Sequence, residues 1–278
     1  MAIRVLSALR ALALSTHPTP GAAVTVIALL LAIAGGLDPW RIVLVGLVMA
    51  LDQASVGLSN DWIDAERDRA VGRQDKPVAR GDIPARLARD VAIGTAAASV
   101  LVSIPLGWPA LLAHAVFLVS AWSYNAGLKS SPVSVVPYLV SFGILPAFVT
   151  LAGTPPALAS VWTVAAGALL GAGAHFANVL PDLDDDARTG VRGLPHRLGR
   201  VGSLVVTWLT LLAAAVSLAI GIGLDTFVGI AGLAAAALIA IIGLVLGLRR
   251  TPTRILFRLV ILAALIDVAM LVVGGAHG

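Results

Sequence analysis

The stretch NDWIDAERDRAVGRQDKPVARG, residues 60–81, begins where one of the most apolar segments of the chain ends, and it carries four acidic side chains between residues 61 and 68. A second stretch, NVLPDLDDDARTGVRGLPHRLG, residues 178–199, matches it at an offset of 118 residues. The six identities are Asn60 with Asn178, Asp64 with Asp182, Asp68 with Asp186, Gly72 with Gly190, Pro77 with Pro195, and Gly81 with Gly199. Because all six are polar residues, Gly or Pro, shared apolar composition does not account for them. The sequence therefore predicts a weak internal repeat.

Within each stretch the matched Asn and the two matched Asp residues are four positions apart, a spacing that lines one face of a helix. The two sets are Asn60, Asp64 and Asp68, and Asn178, Asp182 and Asp186. Carboxylates this close repel one another, so we expect a cation between them. The ligands are oxygens and the chain has no Cys, which favours a hard ion, Mg²⁺ or Mn²⁺.

Basic residues flank both acidic sets, as binding of a diphosphate through Mg²⁺ would require. They are Arg67, Lys76, Arg80, Arg188 and Arg192. A single cluster of this kind could also be a solvated surface next to the membrane. Because the same spacing of Asn and Asp occurs twice in the chain, we favour a binding site.

The composition places the chain in a membrane. It has 278 residues, of which 59% are hydrophobic, against roughly 45–50% in soluble domains. Windows of roughly 20 residues predict about nine spanning helices. These lie near residues 21–37, 41–60, 91–107, 109–125, 134–153, 160–180, 202–222, 227–248 and 256–274. No strand-like alternation runs through these segments, so the predicted fold is a single all-α membrane bundle over residues 1–278.

The distribution of Lys and Arg predicts the topology. With nine alternating spans, 18 of the 19 basic residues fall on the side of the N-terminus. By the positive-inside rule, the N-terminus and both acidic segments are cytoplasmic and the C-terminus is outside, in a bacterial plasma membrane or its equivalent. Membrane topology thus explains the excess of Lys and Arg over Asp and Glu, and nucleic acid is not an expected partner. A cleaved signal peptide is not expected either, because further spans follow the first.

The motif NDWIDAERD resembles the first aspartate-rich signature, N-D-x-x-D-x-x-x-D, of the UbiA superfamily of intramembrane prenyltransferases, and DLDDD resembles the second, D-x-x-x-D. The resemblance covers nearly the whole chain. It implies a Mg²⁺-dependent enzyme in which an isoprenoid diphosphate ionises to an allylic cation, and a lipophilic or aromatic acceptor attacks that cation. The isoprenoid tail would lie in an apolar tunnel between helices, within the membrane lipids.

Carried over to this chain, the resemblance implies a role for each matched residue. The catalytic set is Asp61, Asp64, Asp68, Asp182 and Asp186, and the metal set is Asn60, Asp64, Asp68, Asp182 and Asp186. The diphosphate set is Asn60, Asn178, Arg67, Lys76, Arg80, Lys129, Arg188 and Arg192. Tyr124 covers the acceptor side, Asp61 is a candidate general base, and Asp185 is an additional candidate. Many members carry Arg-Pro where this chain has His17-Pro18, so anchoring of an acceptor carboxylate there is not supported.

Two other functions fit the same residues. A terpene cyclase on this scaffold would need the same diphosphate site, and the cation would then be captured by its own double bond. A cation transporter would use the carboxylates as an ion path, although such sites usually lie near the membrane midplane. Donor length and acceptor identity stay open.

Overall fold

The computed structural model describes residues 2–188, 190–249 and 253–275, and every regular element within these ranges is a helix. The α-helices are α1 (Ala2–Ser15), α2 (Pro18–Ala34), α3 (Pro39–Ile63), α4 (Ala65–Ala70), α5 (Pro77–Arg80), α6 (Ala85–Ser103), α7 (Trp108–Asn125), α8 (Val136–Leu151), α9 (Val161–Val179), α10 (Leu183–Arg188), α11 (Leu194–Ile222), α12 (Phe227–Leu248) and α13 (Thr253–Gly275). Short 3₁₀ turns occupy Ile104–Leu106 and Leu128–Ser130. The predicted all-α class is confirmed.

Local sequence explains where the helices begin. Proline occupies the first turn of α2, α3, α5, α7, α8 and α11, where its missing N–H costs nothing and its fixed φ suits the helix. Ser160 and Thr226 cap α9 and α12 by accepting hydrogen bonds from Thr163 N and Gly229 N, which satisfies otherwise unpaired amides. The boundaries of the long helices therefore follow from the chain itself.

The long helices pack largely in chain order and close into a ring. Helix α3 packs on α2 and α6, α8 lies between α7 and α9, and α11 lies between α9 and α12. The last helix, α13, contacts α12, α11 and α2, so the two ends of the bundle meet. This closure encloses an apolar cavity between α2, α8, α9, α11 and α13.

A long helix overlaps each of the nine predicted segments, but the number of membrane crossings stays a prediction. Four helices within the described ranges are long and apolar enough to cross a bilayer: Pro39–Ile63, Ala85–Leu106, Leu194–Ile222 and Phe227–Leu248. A fifth is added if Leu6–Ser15 and Pro18–Ala34, which meet at 63°, count as one bent span. Helix α8 has 16 residues, fewer than the roughly 20 that span a bilayer.

The elements recur at the offset of 118 residues. Helices α3 and α4 correspond to α9 and α10, and α5 with α6 corresponds to α11, which kinks at Gly199. The matched glycines Gly72 and Gly190 both have positive φ, at 70° and 85°. Gly81 and Gly199 do as well, at 83° and 68°, a backbone conformation that residues with a Cβ rarely adopt. The matched glycines thus turn the chain in the same way after each acidic helix.

Candidate active site

The first acidic segment lies where α3 meets α4. Asp64 is both the C-cap of α3 and the N-cap of α4, so the two helices meet at this carboxylate. Asp61, Asp64 and Asp68 are buried, at 1%, 4% and 3% exposed. Buried carboxylates are costly unless they are paired, and the partners of these three define the site.

Lys76 is the central partner of this segment. Its Nζ lies 2.7 Å from Asn60 Oδ1, 3.2 Å from Asp61 Oδ1 and 3.1 Å from Asp68 Oδ2. Burial alone would lower the pKa of Lys76, but Asp61, Asp68 and Asp64 together outweigh it and raise the pKa. An ammonium group therefore lies among oxygen atoms of the predicted metal set.

Asp64 has two further cationic partners. Arg67 Nη2 lies 2.8 Å from Asp64 Oδ2, and Lys129 donates a hydrogen bond to Asp64 Oδ1. Lys129 comes from the loop after α7, 65 residues away in sequence. Burial lowers the pKa of Lys129 despite the opposing effect of Asp64, and Arg67 and Lys76 lower it further.

An amide network fixes Asn60 at the end of α3. Its Nδ2 donates to Asp64 Oδ2 at 3.2 Å and to Asn125 Oδ1 at 3.3 Å. Asn125, the last residue of α7, in turn donates to Val56 O at 2.9 Å and to Ser59 Oγ at 2.8 Å. Helix α7 thus orients the first acidic segment.

The second acidic segment meets the first through an ion pair. Arg73 Nη1 lies 3.1 Å from Asp182 Oδ1, and the same guanidinium pairs with Asp75 at 2.9 Å. Asp75 has its pKa lowered to about 2, chiefly by the hydrogen bond from Arg73. The basic loop after α4 therefore bridges the two acidic segments.

Asp186 belongs to the same electrostatic cluster. Burial raises its pKa to about 6, with Arg67 opposing and Asp182 and Asp64 adding to the rise. His196 Nε2 is 3.7 Å from Asp186 Oδ2. The side chains of Asp184 and Asp185, the latter a candidate from sequence, lie outside the described residues.

Four of the predicted diphosphate ligands are exposed. Arg80 pairs with its near neighbour Asp82, because an exposed short-range partner is available two residues away. Arg188 and Arg192 are exposed. Asn178 is also exposed and donates to Tyr138 Oη at 3.4 Å, so it does not repeat the contacts of Asn60.

An aromatic cluster connects Asn178 of the second acidic segment with the apolar cavity. The ring of Tyr124 is edge-on to Tyr138 at 5.1 Å and to His175 at 5.6 Å, and Phe142 stacks on Tyr138 at 6.1 Å. Phe142 also lines the cavity. The cavity walls are mostly apolar and include Val24, Ile27, Leu170, Ala174, Leu211 and Val260. The cavity would suit the apolar chain of an amphipathic ligand, and the charged residues of the acidic segments would suit its charged head.

The donor set suits a hard divalent ion. Asn60, Asp64, Asp68, Asp182 and Asp186 offer oxygen ligands, as Mg²⁺ prefers. No three described Asp, Glu or His side chains converge closely enough to hold a metal in the conformation described. Instead, Lys76 and Lys129 neutralise the first segment. The chemistry of the predicted metal set fits Mg²⁺, and its assignment as a ligand set stays a prediction.

Sequence reasoning missed three residues of the site. Arg73 lay between the matched positions and was counted only as a basic residue. Asn125 had no motif to mark it. His17 was noted only for preceding Pro18, yet its Nε2 lies 2.8 Å from Asp61 Oδ1. A polar residue at the end of an apolar helix was the available signal for Asn125.

The fold and site define a helical membrane protein with two acidic segments joined at one end of an apolar cavity. The model of the UbiA prenyltransferase family matches residues 22–269. The chain is therefore an integral membrane protein of the UbiA prenyltransferase family.

Two relatives and one solved structure show what the chain is similar to. A digeranylgeranylglyceryl phosphate synthase from Methanopyrus kandleri is 32% identical over 66% of this chain and 68% of its own length. A 4-hydroxybenzoate octaprenyltransferase from Nitrosomonas europaea is 31% identical over 61% of this chain, and the match spans 59% of that relative. A UbiA homolog from Archaeoglobus fulgidus, solved with GPP and Mg²⁺, has a TM-score of 0.71 at 18% identity, covering 94% of this chain and 97% of that one. At this identity the structural likeness shows the fold.

Proposed function

We propose that this protein is a Mg²⁺-dependent intramembrane prenyltransferase that moves a prenyl or polyprenyl group from an isoprenoid diphosphate to a lipophilic acceptor. The observation that carries the proposal is the position of two acidic segments, joined by Arg73 and Asp182, above a cavity with apolar walls. The solved UbiA homolog was bound to both GPP and Mg²⁺, which supports an isoprenoid diphosphate and Mg²⁺ as the ligands proposed here.

The acidic residues and their basic neighbours would handle the diphosphate. Asn60, Asp64, Asp68, Asp182 and Asp186 would hold Mg²⁺, which when bound supplies positive charge next to the diphosphate. Three basic residues already form ion pairs with these carboxylates: Arg67, Lys76 and Lys129. When the donor binds, they would pair with its phosphate oxygens instead. Their charge would stabilise the diphosphate as its bond to carbon breaks.

The apolar cavity and the aromatic cluster would handle the allylic part. The cavity would hold the isoprenoid tail and keep water from the cation. Tyr124 and Tyr138 pack together, and Tyr138 contacts both Asn178 and Phe142 of the cavity wall; the positive charge would develop beside these rings. Aromatic faces attract cations, so these two rings are placed to stabilise it.

The acceptor is proposed only by class. The two relatives carry different names, a digeranylgeranylglyceryl phosphate synthase and a 4-hydroxybenzoate octaprenyltransferase. A lipophilic acceptor with a hydroxyl group, on an aromatic ring or on a glycerol lipid, is consistent with both. We further propose that the N-terminus and the acidic segments face the cytoplasm, as the distribution of Lys and Arg indicates.

The test is incubation of the purified protein in lipid nanodiscs with Mg²⁺ and allylic diphosphates of graded length. Diphosphate release that requires both Mg²⁺ and a membrane lipid extract, with a prenylated product, is the expected result. Release without any acceptor, giving a cyclic hydrocarbon or alcohol, would replace the proposal with a cyclase. Failure to release diphosphate from any donor would overturn it.

A further inference from the structure

The turn between α1 and α2 is fixed against α3 in an unusual conformation. His17 has φ 51° and ψ 63°, and it is the one residue other than Gly with positive φ among those the structure describes. The turn lies directly on the backbone of α3, since a Cβ at Gly57 would be 2.3 Å from Thr16 O. Strained conformations of this kind persist where the surroundings hold them, and they cluster at functional sites.

This conformation places the His17 ring on a buried carboxylate. Its Nε2 lies 2.8 Å from Asp61 Oδ1, and the two side chains are 39% and 1% exposed. Nδ1 has no hydrogen-bond partner among the residues described. One ring nitrogen is therefore anchored on Asp61, while the half-exposed ring leaves the other accessible.

His17 shares the carboxylate of Asp61 with a second partner. Asp61 of α3 faces the ring directly, and Lys76, at the start of α5, lies 3.2 Å from the same Asp61 oxygen. Asp61 therefore holds the His17 ring and the Lys76 ammonium at one oxygen atom. A neutral imidazole oriented by a carboxylate is suited to accept a proton at its free nitrogen.

We propose that His17, oriented by Asp61, is the base that takes the hydroxyl proton of the acceptor. The inference rests on the proposed prenyl transfer and deepens it. As the acceptor forms its bond to the allylic carbon, the bond from that carbon to oxygen breaks and diphosphate leaves with the electron pair. The acceptor's hydroxyl proton passes to Nδ1 of His17, and then to water. This role falls to His17 in place of Asp61, whose carboxylate is already bound by two partners.

A purely structural role for His17 makes a different prediction. In that case, the hydrogen bond to Asp61 would only tie the turn to α3. His17→Gln separates the two roles, because the Gln amide keeps a donor for Asp61 but does not accept a proton at neutral pH. A structural role predicts that His17→Gln retains transfer, and a base predicts that it does not.

The experiment measures transfer from geranylgeranyl diphosphate with Mg²⁺ to a glyceryl phosphate ether lipid with one free hydroxyl. We expect His17→Gln to lower kcat by about 100-fold, with donor affinity and thermal unfolding unchanged. Arg10→Gln, an exposed change in the preceding helix, should match the wild type.

Each outcome is decisive. Transfer by His17→Gln within threefold of the wild type would overturn the inference and leave the proposed function intact. A wild-type protein that releases no diphosphate from any allylic donor would overturn the proposed function, and the inference with it. A wild-type protein that prenylates only acceptors without a free hydroxyl would overturn the inference alone. If His17→Gln does not fold, the wild type is treated with diethyl pyrocarbonate, and carbethoxylation is mapped by mass spectrometry. Inactivation through His17 that the acceptor prevents would support the inference, and inactivation that the acceptor leaves unchanged would overturn it.

Discussion

Arg73 Nη1 lies 3.1 Å from Asp182 Oδ1, so the loop after the first acidic helix is held on the second acidic segment across 109 residues of sequence. Both side chains are partly exposed, at 20% and 36%. The pair joins two segments whose carboxylates would otherwise repel each other. It therefore pre-organises the site for a ligand that must touch both segments.

Replacing Arg73 should weaken donor binding without abolishing it. An ion pair of this exposure contributes about 1 kcal/mol, so Arg73→Gln should raise the Kd of an allylic diphosphate with Mg²⁺ about fivefold. Isothermal titration calorimetry in detergent measures the affinity. Arg89→Gln is the matched control, because Arg89 forms an exposed pair with its neighbour Asp90. Equal affinities for the two variants would contradict the bridging role.

Asp64 should be essential for diphosphate release. It is buried and is bound by Asn60, Arg67 and Lys129, so the neutral Asp64→Asn would disrupt all three contacts as well as the proposed metal site. We expect a loss of at least about 100-fold in the rate of release.

Glu66→Gln provides the comparison for Asp64→Asn. Glu66 lies two residues further on but is exposed, and neutralising it should leave the rate of release within threefold. Release is followed with a coupled phosphate assay. A similar loss in both variants would indicate that the general negative charge of the segment matters rather than this carboxylate.

Removing the ammonium of Lys76 should destabilise the protein and make its stability depend on divalent metal. Lys76→Met leaves Asp61 and Asp68 without their shared partner, and loss of one partner of a buried ion pair costs about 3 kcal/mol. Mg²⁺ should then restore more of the thermal stability in Lys76→Met than in the wild type, because the ion takes over the charge balance.

Thermal unfolding with and without excess Mg²⁺ tests this directly. Arg80→Gln removes a nearby cation that forms an ion pair with exposed Asp82, and its unfolding midpoint should respond to Mg²⁺ as the wild type does. A Lys76→Met protein of unchanged stability, or one insensitive to Mg²⁺, would contradict the prediction.

The parts of this molecule that sequence predicted are those that local rules determine. Apolar runs gave the long helices, and the matched Gly, Asn and Asp residues gave the position of both acidic segments. Gly72 and Gly190 adopt the same positive φ, as their shared register implied. These features depend on residues a few positions apart, so the local sequence was enough to predict them.

The partners of the carboxylates could not be predicted in the same way. Lys129 reaches Asp64 from 65 residues away, and His17 reaches Asp61 from 44 residues away. Such contacts depend on how the helices pack, which no spacing rule specifies. Arg80 was proposed as a diphosphate ligand because it follows the first acidic segment, and it forms an ion pair with Asp82, two residues away; its role as a ligand stays a prediction.

Metal affinity should fall as the pH is lowered through about 6, the value to which burial raises the pKa of Asp186. Above this pH the carboxylate is ionised and free to ligate a cation, and below it a proton competes with the metal. The affinity for Mn²⁺, followed by electron paramagnetic resonance, should therefore drop by up to about tenfold per pH unit below 6. Asp186→Asn should bind Mn²⁺ more weakly at pH 7.5 and show a shallower dependence. An unchanged pH dependence in Asp186→Asn would assign the proton to another group.

The length of the accepted donor should depend on the cavity wall. Ala174 lines the cavity and follows Gly173 in α9, one residue before His175 of the aromatic cluster. In Ala174→Phe, the larger ring would occupy space close to the head of the cavity, and filling packed space costs about 1–3 kcal/mol. Long allylic diphosphates should therefore lose more activity than short ones, measured as the ratio of kcat/KM for geranylgeranyl and geranyl diphosphate. Leu209→Phe, on the exposed face of α11, adds a ring outside the cavity and should leave that ratio unchanged. An equal loss for both donors in Ala174→Phe would mean that the isoprenoid tail does not pass this wall.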